Sequence, residues 1–291
     1  MTQLLRKFYH TLRSEYVYYV NRSKDNYKIH WSYKDRNFGD ILNPILFNFL
    51  TNKKAIPINS SYFMYNNYLL IGSILQFSNK YSTVWGSGFI AENSVCKEIP
   101  LKVYAVRGKL TRNKLLEQGI ECPEVYGDPA LLMPYLYSSK KEKKYILGII
   151  PHYMDRDNDW LNEIPDNILI IDLITDSPLN IIDQINSCEC IASSSLHGLI
   201  MADAYKIPSL WIEFSNKLIG GHFKFLDYFS SIESIENKPY LISKNTTIQS
   251  ILQRVKYIKP KINISLLLDS CPFEVTIDIK NQIESKIIDS E

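Results

Sequence analysis

From residue 26 onward, short apolar runs of strand length alternate with stretches whose apolar positions recur at intervals of three and four. Such alternation marks parallel sheets covered by helices and predicts an α/β fold. Residues 28–32, 68–71, 83–85 and 103–106 read as strands of a first series. Ile41, Leu42, Ile45, Leu46, Phe49 and Leu50 trace one face of a helix that Asp40 can cap, and Pro44 is early enough in it to be tolerated. Residues 111–118 should form another helix ending at Gly119, a residue suited to the left-handed position past a helix end.

A second series follows, with strands at 145–150, 168–172, 189–193 and 207–212 and helices at 179–187 and 196–205. Between the two lies the polar, charged segment Tyr-Ser-Ser-Lys-Lys-Glu-Lys-Lys, residues 137–144, which has the composition of an inter-domain linker. The expected domains are therefore 1–138 and 139–291, with C-terminal helices able to cross back to the first and 246–257 a candidate segment for it. No apolar run approaches the roughly 18 residues that a membrane-spanning helix needs. Leu4, Leu5, Phe8, Tyr9 and Leu12, interspersed with Arg6, Lys7 and Arg13, would suit a helix at a membrane surface, although packing on its own domain is the plainer expectation.

Composition narrows the function. A chain of 291 residues suits two domains, and 33 Lys and Arg against 31 Asp and Glu leave a net charge of +2. That balance argues against a partner such as nucleic acid, whose binders concentrate excess cations on one face, so any anionic ligand must be held by a local site. Five cysteines, an odd number with no secretory leader before them, suggest a reducing cytoplasm rather than a disulfide framework.

In open parallel sheets, ligands bind beyond the carboxyl ends of strands, where loops enter helices. The residues able to carry chemistry fall at such junctions. Ser193-Ser194-Ser195-Leu196-His197-Gly198 offers hydroxyls, backbone N–H groups and a helix N-terminus to an anion, with His197 in the first turn. Simple capping with a packed histidine is an equal reading. Asn37-Phe38-Gly39-Asp40 is a second junction; Gly39 permits close backbone approach, and Asp40 either caps or reaches a sugar hydroxyl. Arg107, at a strand end, is read as an anion ligand, while Asp128 either orients a basic neighbour or makes an Asx turn. His152 follows the first strand of the second series, and Lys217 and Lys224 flank the paired glycines Gly220 and Gly221. Dinucleotide, Walker, nucleophile-elbow and zinc signatures are all missing, so no metal is expected.

The ordered set Asn37-Phe-Gly-Asp40, Gly86-Ser-Gly88, Arg107-Gly-x-Leu-Thr-Arg112, Gly127-Asp-Pro-Ala-Leu-Leu132, Ile150-Pro-His-Tyr153, Ser194-Ser-Leu-His-Gly198 and Lys224-Phe-Leu-Asp-Tyr228 resembles the polysaccharide pyruvyl transferase family, in its exopolysaccharide and capsule branch. The resemblance implies two Rossmann-like domains facing a cleft, glycosyltransferase-B-like, with an acceptor-side N-terminal and a donor-side C-terminal domain. It implies transfer from phosphoenolpyruvate to two hydroxyls of a sugar in a bacterial polysaccharide precursor, giving a cyclic pyruvate ketal. Carried over by position, it implies His197, Arg107 and Lys217 as catalytic residues, with Lys224 as the alternative for the lysine. Ser194, Ser195, Gly198, Lys224 and His152 then fall on the donor side, Asn37, Gly39, Asp40 and Gly88 on the acceptor side, and Asp128 orients. Many relatives carry Arg before the Leu-His-Gly motif, where this chain has Ser195. Phosphoenolpyruvate serves as co-substrate and no cofactor is expected; the expected acceptor is a lipid-linked oligosaccharide at the inner face of the cytoplasmic membrane, with peripheral membrane association. The competing readings are a glycosyltransferase of the same shape using a nucleotide sugar, and a glycan-binding protein without catalysis.

Overall fold

The computed structural model describes residue 12 and residues 26–288, apart from 62, 216, 235 and 237. All of the basic, amphipathic N-terminal stretch except the exposed Leu12 lies outside the described residues. The first sheet is built from β1 (Asn26–His30), β2 (Lys54–Ile58), β3 (Asn67–Leu69), β4 (Ser82–Trp85) and β5 (Lys102–Ala105), in the order β2-β1-β3-β4-β5. The second contains β6 (Leu147–Ile150), β7 (Ile168–Ile170), β8 (Ile191–Ser193), β9 (Ser209–Glu213) and β10 (Tyr240–Leu241), in the order β10-β9-β8-β6-β7. Every pairing within both sheets is parallel. The fold is two Rossmann-like α/β units.

The eight strands that the pattern predicts all form, with ends displaced by one or two residues, and β2 and β10 are additional to them. β4 and β6 are buried at every position, as expected of a strand covered on both faces. β2, Lys-Ala-Ile-Pro-Ile, gives a weak signal because Pro57 cannot donate to a ladder; it is tolerated because β2 occupies the sheet edge.

Helix α1 (Phe38–Thr51) begins earlier than Asp40. Asn37, extended at φ −69° and ψ 132°, is the cap, and its Oδ1 accepts the Gly39 N–H at 3.1 Å. Asp40 therefore sits in the first turn, where a carboxylate favours the positive end of the helix dipole. Helix α2 (Lys109–Glu117) gives way to Gly119, whose φ of +72° is the left-handed conformation its position requires. A 3₁₀ turn (Pro129–Leu132) and the short α3 (Met133–Leu136) complete the first unit's connection.

In the second unit, α4 (Pro178–Asn186), α5 (Leu196–Ala204), α6 (Phe223–Ser231) and α7 (Ile248–Leu252) surround the sheet. Residues 246–257 remain there rather than crossing back: Ile251 packs in a cluster with Leu147, Leu210 and Ile212, and Ser209 bridges to Lys256. The later helices α8 (Ile264–Asp269) and α9 (Ile277–Ile288) reach the first unit instead. There Trp85 Nε1 donates to the Leu267 carbonyl at 3.0 Å, and Phe273 meets Tyr27, Phe47 and Trp85 edge-on. One apolar core runs between the units, joining Leu42 and Leu46 of α1 with Ile181, Ile182 and Ile185 of α4. Among the described residues, no helix is long and apolar enough to cross a membrane.

Candidate active site

Between the two units, beyond the carboxyl ends of β1, β3, β6 and β8, lies a pocket of about 190 Å³. Three helices begin at its wall: α1 contributes Asn37 and Asp40, α5 contributes Ser195, Leu196 and His197, and α6 contributes Lys224. Loops add Ser73 from the first unit and His152 and Tyr153 from the second. The arrangement gives a small volume several helix N-termini, a lysine and two imidazoles, which together suit an anion.

The serine run divides its labour. Ser193 Oγ donates to the Ser195 carbonyl at 2.8 Å and accepts the Ser195 N–H at 3.0 Å, while Ser194 Oγ accepts the His152 N–H at 2.8 Å. Ser193 and Ser194 thus shape the loop, and Ser195 lines the pocket. Gly198 belongs to this packing, since a Cβ there would stand 2.3 Å from Ser193 Oγ.

His197 reaches across the interface. Its ring lies against Gly39 so closely that a Cβ at Gly39 would stand 2.2 Å from Nδ1 and Cε1. The glycine of the Asn-Phe-Gly-Asp motif therefore makes room for the histidine of the Leu-His-Gly motif. On the far side, His197 Nε2 faces Asp128 Oδ2 at 3.8 Å, and both atoms are buried without a hydrogen-bond partner among the described residues. Asp128 Oδ1 accepts the Ala130 N–H at 3.0 Å and fixes the carboxylate in place. The imidazole and the carboxylate thus face each other with no other side-chain partner between them.

His152 is buried, and burial together with the nearby Lys224 pushes its pKa down to about 4. It is neutral near pH 7. Lys224 is half-buried; burial, and then the charge of Arg107, lower its pKa to about 8. A lysine at a helix N-terminus also opposes the dipole. Three influences therefore disfavour the Lys224 ammonium, and a bound anion would relieve all of them. Asp40 has its Oδ1 on the Ser32 N–H at 3.0 Å, and burial raises its pKa, with that hydrogen bond and His197 acting in the opposite direction.

Arg107 lies behind the pocket wall. It is wholly buried, with Nε on Asp227 Oδ2 at 2.9 Å, Nη1 on Ser73 Oγ at 2.6 Å and Nη2 on the Phe89 carbonyl at 2.7 Å. Asp227, from α6, also accepts from the Thr111 N–H at 2.7 Å and from Thr111 Oγ1 at 2.8 Å. Gly88 leaves space for this pair: a Cβ would stand 2.5 Å from Arg107 Nη2. Gly88 thus supports Arg107 and does not line the pocket. Lys217 is exposed and outside the lining; the lysine that lines it is Lys224.

Of the residues expected from sequence, the structure brings together Asn37, Asp40, His152, Ser195, His197 and Lys224, supported by Gly39, Asp128, Ser194 and Gly198. Sequence reasoning missed Ile74, Ile90, Tyr153, Leu173 and Ile219 as lining residues, and Asp227 as the partner of Arg107. Ser73 lies in the loop that follows β3, next to Gly72.

Residues 4–216 match the polysaccharide pyruvyl transferase family, and that span carries every motif of the site except Lys224 and its helix. The chain belongs to the polysaccharide pyruvyl transferase family. It is a polysaccharide pyruvyltransferase by that membership, acting on a polysaccharide acceptor. It is 33% identical over 232 residues to an uncharacterised protein of Acanthamoeba polyphaga mimivirus, covering 76% of this chain and 80% of that one. It is 25% identical over 240 residues to the succinoglycan biosynthesis protein ExoV of Rhizobium meliloti, covering 78% of this chain and 71% of the relative. A crystal structure of a functionally uncharacterised protein from Klebsiella pneumoniae subsp. pneumoniae aligns with 84% of this chain and all of its own, at 14% identity and a TM-score of 0.43.

Proposed function

We propose that the pocket moves the enolpyruvyl group of phosphoenolpyruvate onto two hydroxyls of a sugar in a polysaccharide precursor, closing a cyclic pyruvate ketal and releasing phosphate. The observation that carries this reading is Lys224, a cation lowered to about 8 at a pocket where three helices begin. Phosphoenolpyruvate places a phosphate and a carboxylate on adjacent carbons, so its site needs several fixed donors in a small volume. Lys224 and the first-turn N–H groups of α5 supply them, and Arg107 adds its field from behind Ser73.

For the ketal to form, a proton must reach the methylene carbon, one hydroxyl must attack the central carbon, phosphate must leave, and a second hydroxyl must close the ring. His197 faces the pocket and is backed by Asp128, so it is the acid assigned to the methylene carbon; a positioned acid contributes roughly 10² to 10⁴ in rate. Neutral His152 and the serine-lined loop orient the donor without adding charge.

The test is incubation of the protein with phosphoenolpyruvate and a panel of saccharides. Phosphate release matched by a saccharide mass gain of one pyruvate less one water is the expected result. Consumption of a nucleotide sugar, with phosphoenolpyruvate untouched, would replace this reading with glycosyl transfer.

A further inference from the structure

We propose that Asp40 is a second catalytic residue of this reaction: the base that takes the proton of the first attacking hydroxyl and then delivers it to the departing phosphate. The assignment rests on the pyruvyl-transfer reading of the pocket and adds to it the half of the proton traffic that His197 cannot carry alone.

Among the described residues, Asp40 is the sole carboxylate that lines the pocket. Only its Oδ1 is engaged, by the Ser32 N–H, and Oδ2 has no hydrogen-bond partner among the described residues. The neighbouring Gly39 is the surface on which the His197 ring lies, so the carboxylate and the imidazole share one wall. The ionisable groups facing Asp40 are His197 from α5 and Asp35 from the loop before α1, while Lys224 and His152 line the same pocket. Burial raises the affinity of the Asp40 carboxylate for a proton, which suits a group that must first accept one and then give it up.

The proton count requires two carriers. Two hydroxyl protons leave the acceptor; one hydrogen is gained by the methylene carbon and one by phosphate. In the first half, the acceptor O–H bond breaks toward Asp40 and its oxygen bonds to the central carbon. The carbon–carbon double bond takes its proton from the His197 imidazolium. In the second half, the carbon–oxygen bond to phosphate breaks with its electron pair going to phosphate, which receives the proton held by Asp40. The second hydroxyl then closes the ring and returns its proton to His197. Both residues end in their starting states, and no outside acid, base or oxidant is consumed.

The variant Asp40→Asn keeps an acceptor for the Ser32 N–H and removes the base. Parent and variant are assayed with phosphoenolpyruvate and pyranosides bearing two free hydroxyls, beside calorimetric titration with phosphoenolpyruvate alone. We expect kcat to fall by roughly 10² to 10⁴ with donor affinity retained, the acid limb of the pH profile to disappear, and Asp40→Glu to restore part of the rate. Retained turnover with an unchanged pH profile, or equal loss of donor binding and turnover, would overturn the assignment to Asp40 alone. Should Asp40→Asn fail to fold, Asp40→Glu decides: an inactive but donor-binding Glu variant counts against the role, since a carboxylate is present. A parent that releases no phosphate with any saccharide removes the pyruvyl-transfer reading, and this assignment with it.

Discussion

At Lys224 the polypeptide holds an ammonium partly out of water, beside the buried Arg107 and at the positive end of α6. Below pH 8 the ammonium is present and can pair with an anion; above it the proton is lost and so is the pairing. Affinity for phosphoenolpyruvate, followed by calorimetry, should therefore fall as the pH rises through about 8. Lys224→Met should weaken binding by about tenfold or more near neutrality, as expected for a lost charge-assisted contact, and should flatten that alkaline fall. The choice between Lys217 and Lys224 was beyond the sequence because both flank the same pair of glycines. The fold sets the two apart through Gly220, whose φ of +77° and close approach to the Ile90 carbonyl, 2.3 Å from where a Cβ would stand, bend the chain between them, so that Lys224 lines the pocket and Lys217 does not. Arg107 teaches the same lesson. Its place at a strand end was legible, but its partner Asp227 lies 120 residues further on and no local pattern announces it.

Among the elements, the meeting of α1 and α5 seats His197, and the ion pair between Arg107, just past β5, and Asp227 of α6 ties the two units together. Gly39→Ala would drive a methyl group into the His197 ring. We expect a loss of turnover well beyond the change in melting temperature, because the imidazole can yield only by leaving its place between Asp128 and the pocket. Asp227→Ala leaves the Arg107 guanidinium buried and unpaired; chemical denaturation should show a cost of about 3 to 5 kcal/mol, the range for breaking a buried ion pair. The helix starts were readable to within a few residues from capping chemistry. Asp40 was a plausible cap in isolation, and Asn37 displaced it because an extended residue two positions before Gly39 can reach the free N–H. β2 escaped detection because Pro57 disguises an edge strand, and the apolar pocket residues Ile90 and Ile219 escaped because nothing in a motif distinguishes them from core.

Across the whole molecule, buried imidazoles and buried carboxylates respond to acid in opposite senses. His30 and His152 both have pKa values pushed down to about 4 by burial, His152 with help from Lys224. Between pH 4 and 6.5 the unfolded chain binds more protons than the native one at these two positions, so stability rises with pH across that window and is lost as the pH falls. Asp203, raised by burial to about 7, opposes this: its contribution is lost as the pH rises from 3.8 toward 7. Asp40 and Glu236, also raised by burial, act in the same sense as Asp203, so the part due to one imidazole is read by substitution: His30→Gln should make the melting temperature rise less, or fall more, between pH 4 and 6.5 than in the parent. The alternating pattern made the two-sheet architecture legible at this scale. It allowed C-terminal helices to return to the first unit but could not say that α8 and α9 do so rather than residues 246–257, because both segments have apolar faces and only tertiary packing assigns them.

That return gives the two sheets a second tether besides residues 137–144. Opening one unit against the other would strain both connections and uncover the apolar core shared by α1 and α4, so the imidazole of His197 is held against its glycine seat by the packing of the whole chain.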